Sequence, residues 1–273
     1  MIDVEVEREP LSGDAALAVK NVTVRFGGIT ALERVSLDVR GGEVLGVIGP
    51  NGAGKTTLFN CICGFVRPQS GAISWRGARL ERERPDRLAT HGIARTLQGV
   101  GLFSGLTVVE NVMVGAQCFR RAGLFSSLLA LPRSGGDERA LRERALVALR
   151  TVGCEEEADR EPSALPFATQ KRVALARALA AEPALLLLDE PAGGLDSEEL
   201  AQLAELIRGV RGKMSVMLVE HHMEFVTSVC DRVAVLDFGQ VISTGAPEVV
   251  KQDPRVLEAY LGEDAATMEA GDA

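Results

Sequence analysis

Gly49-Pro-Asn51-Gly52-Ala53-Gly54-Lys55-Thr56-Thr57 follows directly on the apolar run Val44 to Ile48 and groups three glycines, a lysine and two hydroxyls. This G-x-x-x-x-G-K-[ST] spacing suits a loop that cradles phosphate. Small residues let successive backbone N–H groups curl around the phosphate oxygens. The start of the following helix adds partial positive charge, and Lys55 adds a full one. The Thr56 hydroxyl is placed to hold a Mg²⁺ ion accompanying the phosphates. A glycine-rich turn that merely ends in Lys-Thr is the bland alternative, and the strand before and helix after argue against it.

A second apolar run, Leu185 to Leu188, ends in Asp189-Glu190. A buried parallel strand exposes its last residues at the carboxyl edge of its sheet, where ligands bind. Asp189 is expected to serve Mg²⁺ through water, and Glu190, directed away from its neighbour, to polarise an attacking water. His221 follows a third run, Val216 to Val219, and is expected at the same edge, near the transferred phosphate. His222 beside it raises a metal pair, but adjacent side chains should diverge and no third ligand is suggested.

These residues need a scaffold, and the hydrophobic pattern supplies one. Val22, Val24 and Phe26, then Val35, Leu37 and Val39, alternate between Gly27-Gly28 and Gly41-Gly42, which predicts antiparallel strands. The runs at 44–48, 185–188, 216–219 and 233–236 predict buried strands, with helical spacing between them, as at Glu198 to Val210. From about 99 to 182 the spacing is helical, including Asp137 to Arg150 and Lys171 to Ala180, and predicts an inserted helical lobe. Leu131 to Gly136 reads as a surface turn. The fold class is therefore α/β, a mainly parallel core with an antiparallel β-subdomain and an inserted α-helical subdomain.

The 273 residues carry a formal net charge of −8, against a nucleic-acid-binding surface, which relies on excess Lys and Arg. Five cysteines form no C-x-x-C pair, so packed, reduced thiols and a reducing compartment are expected. The densest apolar run, Ala184 to Leu188, is too short to cross a bilayer, so membrane attachment is expected only through a partner. Residues 1 to 15 and the acidic 263–273 lack apolar periodicity and are expected to be flexible and without chemistry, flanking a domain over 16–262.

In order and spacing the motifs resemble the ATP-binding subunits of ABC transporters, from about Leu17 to Gly262. The resemblance identifies Phe26 as the aromatic that stacks adenine and Gly49 to Thr57 as the phosphate loop. Gln98 is the loop glutamine that joins Mg²⁺ and the phosphates to the permease-facing groove, and Gly194-Leu195-Asp196 follows the paired carboxylates. His221 is the switch histidine. It implies ATP and Mg²⁺ as cofactors, with Glu190, His221 and Gln98 catalytic and Thr56, Gln98 and Asp189 around the metal. Arg95-Thr-Leu-Gln98, Thr107-Val-Val-Glu-Asn111 and Val219-Glu-His-His-Met-Glu look most like the ATPases of branched-chain amino-acid importers. Urea or short amides remain open as cargo. The apolar run Leu102 to Val114 is either lobe core or the surface that meets the permease's cytoplasmic helices.

One segment departs from the family pattern. Where the family commonly has Leu-Ser-Gly-Gly-Gln, this chain has Leu165, Pro166, Phe167, Ala168 and Thr169. Pro166 brings neither hydroxyl nor N–H, and Ala168 adds a methyl where backbone must approach phosphate. In the family this segment caps the nucleotide of the facing subunit, which favours a heterodimer with a second ATP-binding subunit whose signature is intact. The alternative is a regulatory subunit that closes on ATP with little turnover.

Overall fold

The computed structural model describes residues 15–80, 83–96, 99–119 and 132–260. Strands β1 (Ala15–Phe26) and β2 (Ile29–Arg40) pair antiparallel, joined at Gly27-Gly28. Each keeps its apolar residues on one face although their parity changes partway: Leu17 and Val19 give way to Val22 and Val24, and Leu32 to Val35, Leu37 and Val39. Bulges at Asn21 and Arg34, both at φ 48, absorb the extra residue. Asn21 N–H donates to Ser36 Oγ at 2.9 Å and Arg34 N–H to Thr23 Oγ1 at 3.1 Å, so the bulged amides stay satisfied. With β4 (Ser70–Trp75) and β5 (Ala78–Arg79) they form an antiparallel sheet ordered β2-β1-β4-β5.

The second sheet contains β3 (Val44–Ile48), β6 (Ile93–Arg95), β7 (Leu185–Asp189), β8 (Ser215–Val219), β9 (Arg232–Asp237) and β10 (Gln240–Gly245), ordered β10-β9-β3-β8-β7-β6. All its pairings are parallel except β9 with β10. Both faces are buried, which explains the unbroken apolar runs. Leu185 and Leu187 face the antiparallel sheet and helix α1 (Lys55–Ile62); Leu186 and Leu188 face the remaining helices. A buried ion cluster ties the layers together: Arg232 on β9 reaches Asp38 on β2 at 3.1 Å and Glu43, just before β3, at 2.9 Å.

Helices α2 (Val108–Gly115), α3 (Pro132–Thr151) and α4 (Phe167–Leu179) pack on one another, and between 99 and 182 the described residues form no strand. Residues 132–136 open α3 rather than forming a turn, because proline lacks only an N–H that the first helical turn leaves unpaired anyway. Leu131 lies outside the described residues, as do 1–14 and 261–273, which include nearly all of both expected flexible ends. Helices α5 (Ser197–Val210), α6 (Met223–Val229) and α7 (Pro247–Val250) follow, and residues 254–260 are helical as well. Among the described residues no helix is long and apolar enough to cross a membrane.

Candidate functional site

Parallel pairing puts the carboxyl ends of β3, β8, β7 and β6 on one edge, in that order. The registers Val47 with Val219, Asp189 with Val219, and Arg95 with Leu187 keep those ends level. The segments that follow the strands therefore stand side by side: the Gly49–Thr57 loop, then Glu220–His222, then Asp189–Glu190, then Thr96.

The loop is glycine-dependent where it meets backbone. At Gly49 (φ 148) a Cβ would lie 2.0 Å from Leu236 O, and at Gly54 (φ 103) 2.5 Å from Ala31 O, so neither position admits a side chain. Gly52 (φ 78) opens to space. Ala53 is buried and takes Gly239 N–H on its carbonyl at 3.0 Å, while Asn51 and Thr56 are exposed and Thr57 is half-buried. Lys55 is buried, its ammonium donating to Gly49 O at 2.6 Å and Pro50 O at 2.8 Å. Two carbonyls of the loop itself thus hold the Lys55 ammonium. Phe26, at the end of β1, is 51% exposed and belongs to neither core cluster.

Asp189 is buried and forms a 2.6 Å ion pair from Oδ2 to Arg95, and its N–H donates to Thr96 Oγ1 at 3.3 Å. Arg95 also donates to Asn60 Oδ1 at 2.8 Å and lies over the Phe59 and Phe65 rings. Glu190 takes a left-handed conformation, with φ 47. Its N–H donates to Val219 O at 3.0 Å. His221 is half-exposed, and its N–H donates to Glu220 Oε2 at 3.0 Å. The rings of His221 and His222 do not diverge as expected: their centroids are 4.9 Å apart, because the chain turns just after β8 instead of remaining extended. Gln98 lies outside the described residues. The oxygens of Thr56 and Asp189 are hard donors suited to Mg²⁺. Among the described residues no three His, Cys, Asp or Glu side chains cluster to hold a cation.

A family pattern described as "ABC transporter" matches residues 32–193. The chain belongs to the ABC transporter family. A second pattern, "Branched-chain amino acid ATP-binding cassette transporter", matches 240–266. The chain is 41% identical over 249 residues to the high-affinity branched-chain amino acid transport ATP-binding protein LivG of Salmonella typhimurium, covering 90% of this chain and 98% of LivG. It is 38% identical to BraF of Pseudomonas aeruginosa over the same shares. The ADP conformation of MJ1267, an ATP-binding cassette of an ABC transporter, superposes with a TM-score of 0.80 at 29% identity, over 91% of this chain and 99% of that one. The α/β architecture is accordingly that of an ABC-type ATPase.

The departed signature of this ABC ATPase begins α4. Pro166 is the N-cap and gives the first turn no side-chain acceptor. Thr169 is buried and accepts from Arg172 at 3.2 Å, facing inward, while Phe167 is half-exposed. Three residues escaped the sequence reading as site members: Arg95, Lys171 and Glu220. Each bonds to backbone or to a carboxylate remote in sequence, so no local spacing announces it. All three do stand inside runs that carry the family resemblance, Lys171 in the Gln170-Lys171-Arg172 that directly follows the departed signature, and that was the available signal.

Proposed function

We propose that this chain binds and hydrolyses Mg²⁺-ATP and so powers a separate membrane permease that imports branched-chain or related amino acids. The convergence of the Gly49–Thr57 loop, Asp189-Glu190 and His221 on adjacent strand ends carries this reading. The loop N–H groups and Lys55 bind the β- and γ-phosphates, with Lys55 moving from the Gly49 and Pro50 carbonyls to do so. Phe26 stacks on adenine, Glu190 orients the attacking water, and His221 meets the γ-phosphate. Thr56 and Asp189, with Gln98, would hold Mg²⁺, which would supply positive charge to offset that of the phosphates. The branched-chain pattern at 240–266 supports this choice of cargo, as do LivG and BraF, whose names give that transport. The domain extends over 16–262.

The partner is a second ATP-binding subunit, and a heterodimer accounts best for Pro166 and Ala168, since the defect falls on the facing subunit's nucleotide. Dimeric cassettes exist among similar structures, one of them MJ0796 bound to ADP and Pi, at 28% identity and TM-score 0.71. The complex sits peripherally on the cytoplasmic face, touching the membrane only through its permease. Half-exposed Phe103, in the turn before α2, suits a permease contact.

Phosphate release is the test, for the chain alone and with co-purified partners, with Lys55→Ala as the blank. Turnover that rises with partners and falls at least about 100-fold in Glu190→Gln supports the reading. The uncapped Pro166 favours a second one, a regulatory subunit, and tight ATP binding without turnover in the full complex would establish it.

A further inference from the structure

We infer that Lys171 and Glu220 clasp the Glu190–Gly194 loop from two sides and position Glu190, coupling this chain's own signature segment to its own hydrolytic carboxylate. The inference rests on the assignment of Glu190 above. Lys171, on the second turn of α4, donates to Pro191 O at 3.0 Å, Glu190 O at 3.4 Å and Gly193 O. An ammonium has three donors in a compact head, and here three carbonyls of one loop converge on it. One turn earlier, Phe167 packs on the same loop: a Cβ at Gly194 would lie 3.0 Å from its Cε1.

Glu220 grips from the other side. It is fully buried at the end of β8, and its Oε1 accepts Ala192 N–H at 2.6 Å. Its Oε2 accepts His221 N–H at 3.0 Å and His222 N–H at 3.4 Å. One carboxylate therefore fixes both the loop behind Glu190 and the backbone of the switch histidine. A buried carboxylate with three N–H partners is a firm anchor, because loosening any one leaves charge undersolvated. Glu190 needs such support: a non-glycine residue in the left-handed region persists only where its surroundings over-determine it.

The two anchors enter from different elements, Lys171 from the helix that begins at the signature and Glu220 from the position between β8 and His221. Displacement of α4, when its N-terminus meets the nucleotide of a facing subunit, therefore draws on the carbonyls of the Glu190 loop. Lys171 and Glu220 are positioning residues; neither is assigned contact with ATP.

Hydrogen exchange on the full-length chain tests this directly. In Lys171→Met, exchange over residues 190–194 should rise about tenfold while β7 keeps wild-type protection, and Lys171→Arg should restore much of the loss. In the assembled transporter, kcat of Lys171→Met should fall about tenfold with KM for ATP within about twofold. Glu220→Gln, which turns an NH₂ toward amide donors, should loosen the same segment and serves if the lysine variant does not fold. Unchanged exchange and a kcat within about twofold of wild type, with Glu190→Gln inactive, would overturn the clasp and leave Glu190 in place. Wild-type turnover by Glu190→Gln would overturn both.

Discussion

Glu190 combines two burdens, the reactive role proposed for it and a backbone at φ 47 that glycine adopts without strain. Glu190→Gly should therefore raise unfolding stability by about 1 kcal/mol while abolishing turnover. Denaturant midpoints beside phosphate release would show whether chemistry and stability part at this residue. Arg95 offers the complementary case. Its pair with Asp189 is buried on both sides, so Arg95→Met leaves an uncompensated carboxylate and should cost about 3 kcal/mol. The proposed Mg²⁺ site would bring a cation to that same carboxylate, so Mg²⁺-ATP should raise Tm more in the variant than in wild type; equal shifts in a thermal scan would sink the idea. At this scale the sequence reveals groups whose chemistry is set by near neighbours, such as Lys55 in its glycine loop and Glu190 at a strand end. It hides groups whose partners are distant: Arg95 and Asp189 are 94 positions apart, and Lys171 answers to bare carbonyls.

Secondary structure was legible where burial on both faces produced long apolar runs, as in β3, β7, β8 and β9. The three residues of β6 end in a charged arginine, and β10 is only half-buried, so neither made a pattern. Pro132 and two glycines, poor formers of a helix interior, concealed the start of α3. The turn before α2 shows how one side chain can stand in for an element. Fully buried Asn111 accepts Phe103 N–H at 2.7 Å and donates to the carbonyls of Phe103, Leu106 and Thr107 at 3.0 to 3.1 Å. Asn111→Ala strands those groups and should lower stability by about 2 kcal/mol, measurable by urea unfolding. It should also loosen the display of Phe103 on which the proposed permease contact depends.

Across the whole molecule, two apolar clusters sandwich the parallel sheet, and most of the thiols lie within or beside them. All five cysteines are free; Cys61, Cys63 and Cys154 are buried, Cys230 half-buried and Cys118 exposed. Burial, with Cys63 nearby, pushes the Cys61 thiol up to about 12, and burial likewise raises Cys63, Cys154 and Cys230. Burial thus disfavours the thiolate in all four, and Cys61, Cys63 and Cys154 are closed to solvent as well. Iodoacetamide at about pH 8 should alkylate Cys118 alone in the native protein and all five cysteines in denaturant, as read by intact mass. Labelling of a second cysteine under native conditions would mean that the sandwich opens.

The seating of His221 between the phosphate loop and the paired carboxylates makes β8 a gauge block. Neighbouring strands are about 4.8 Å apart, so this histidine stands one interval from each side of the chemistry. Consecutive side chains on a strand alternate faces. One residue added within Ser215–Val219 would swing Glu220 out of its buried anchorage and turn His221 toward the interior. A change of one apolar residue for another should be far milder. For this strand, length is the specification and composition the tolerance.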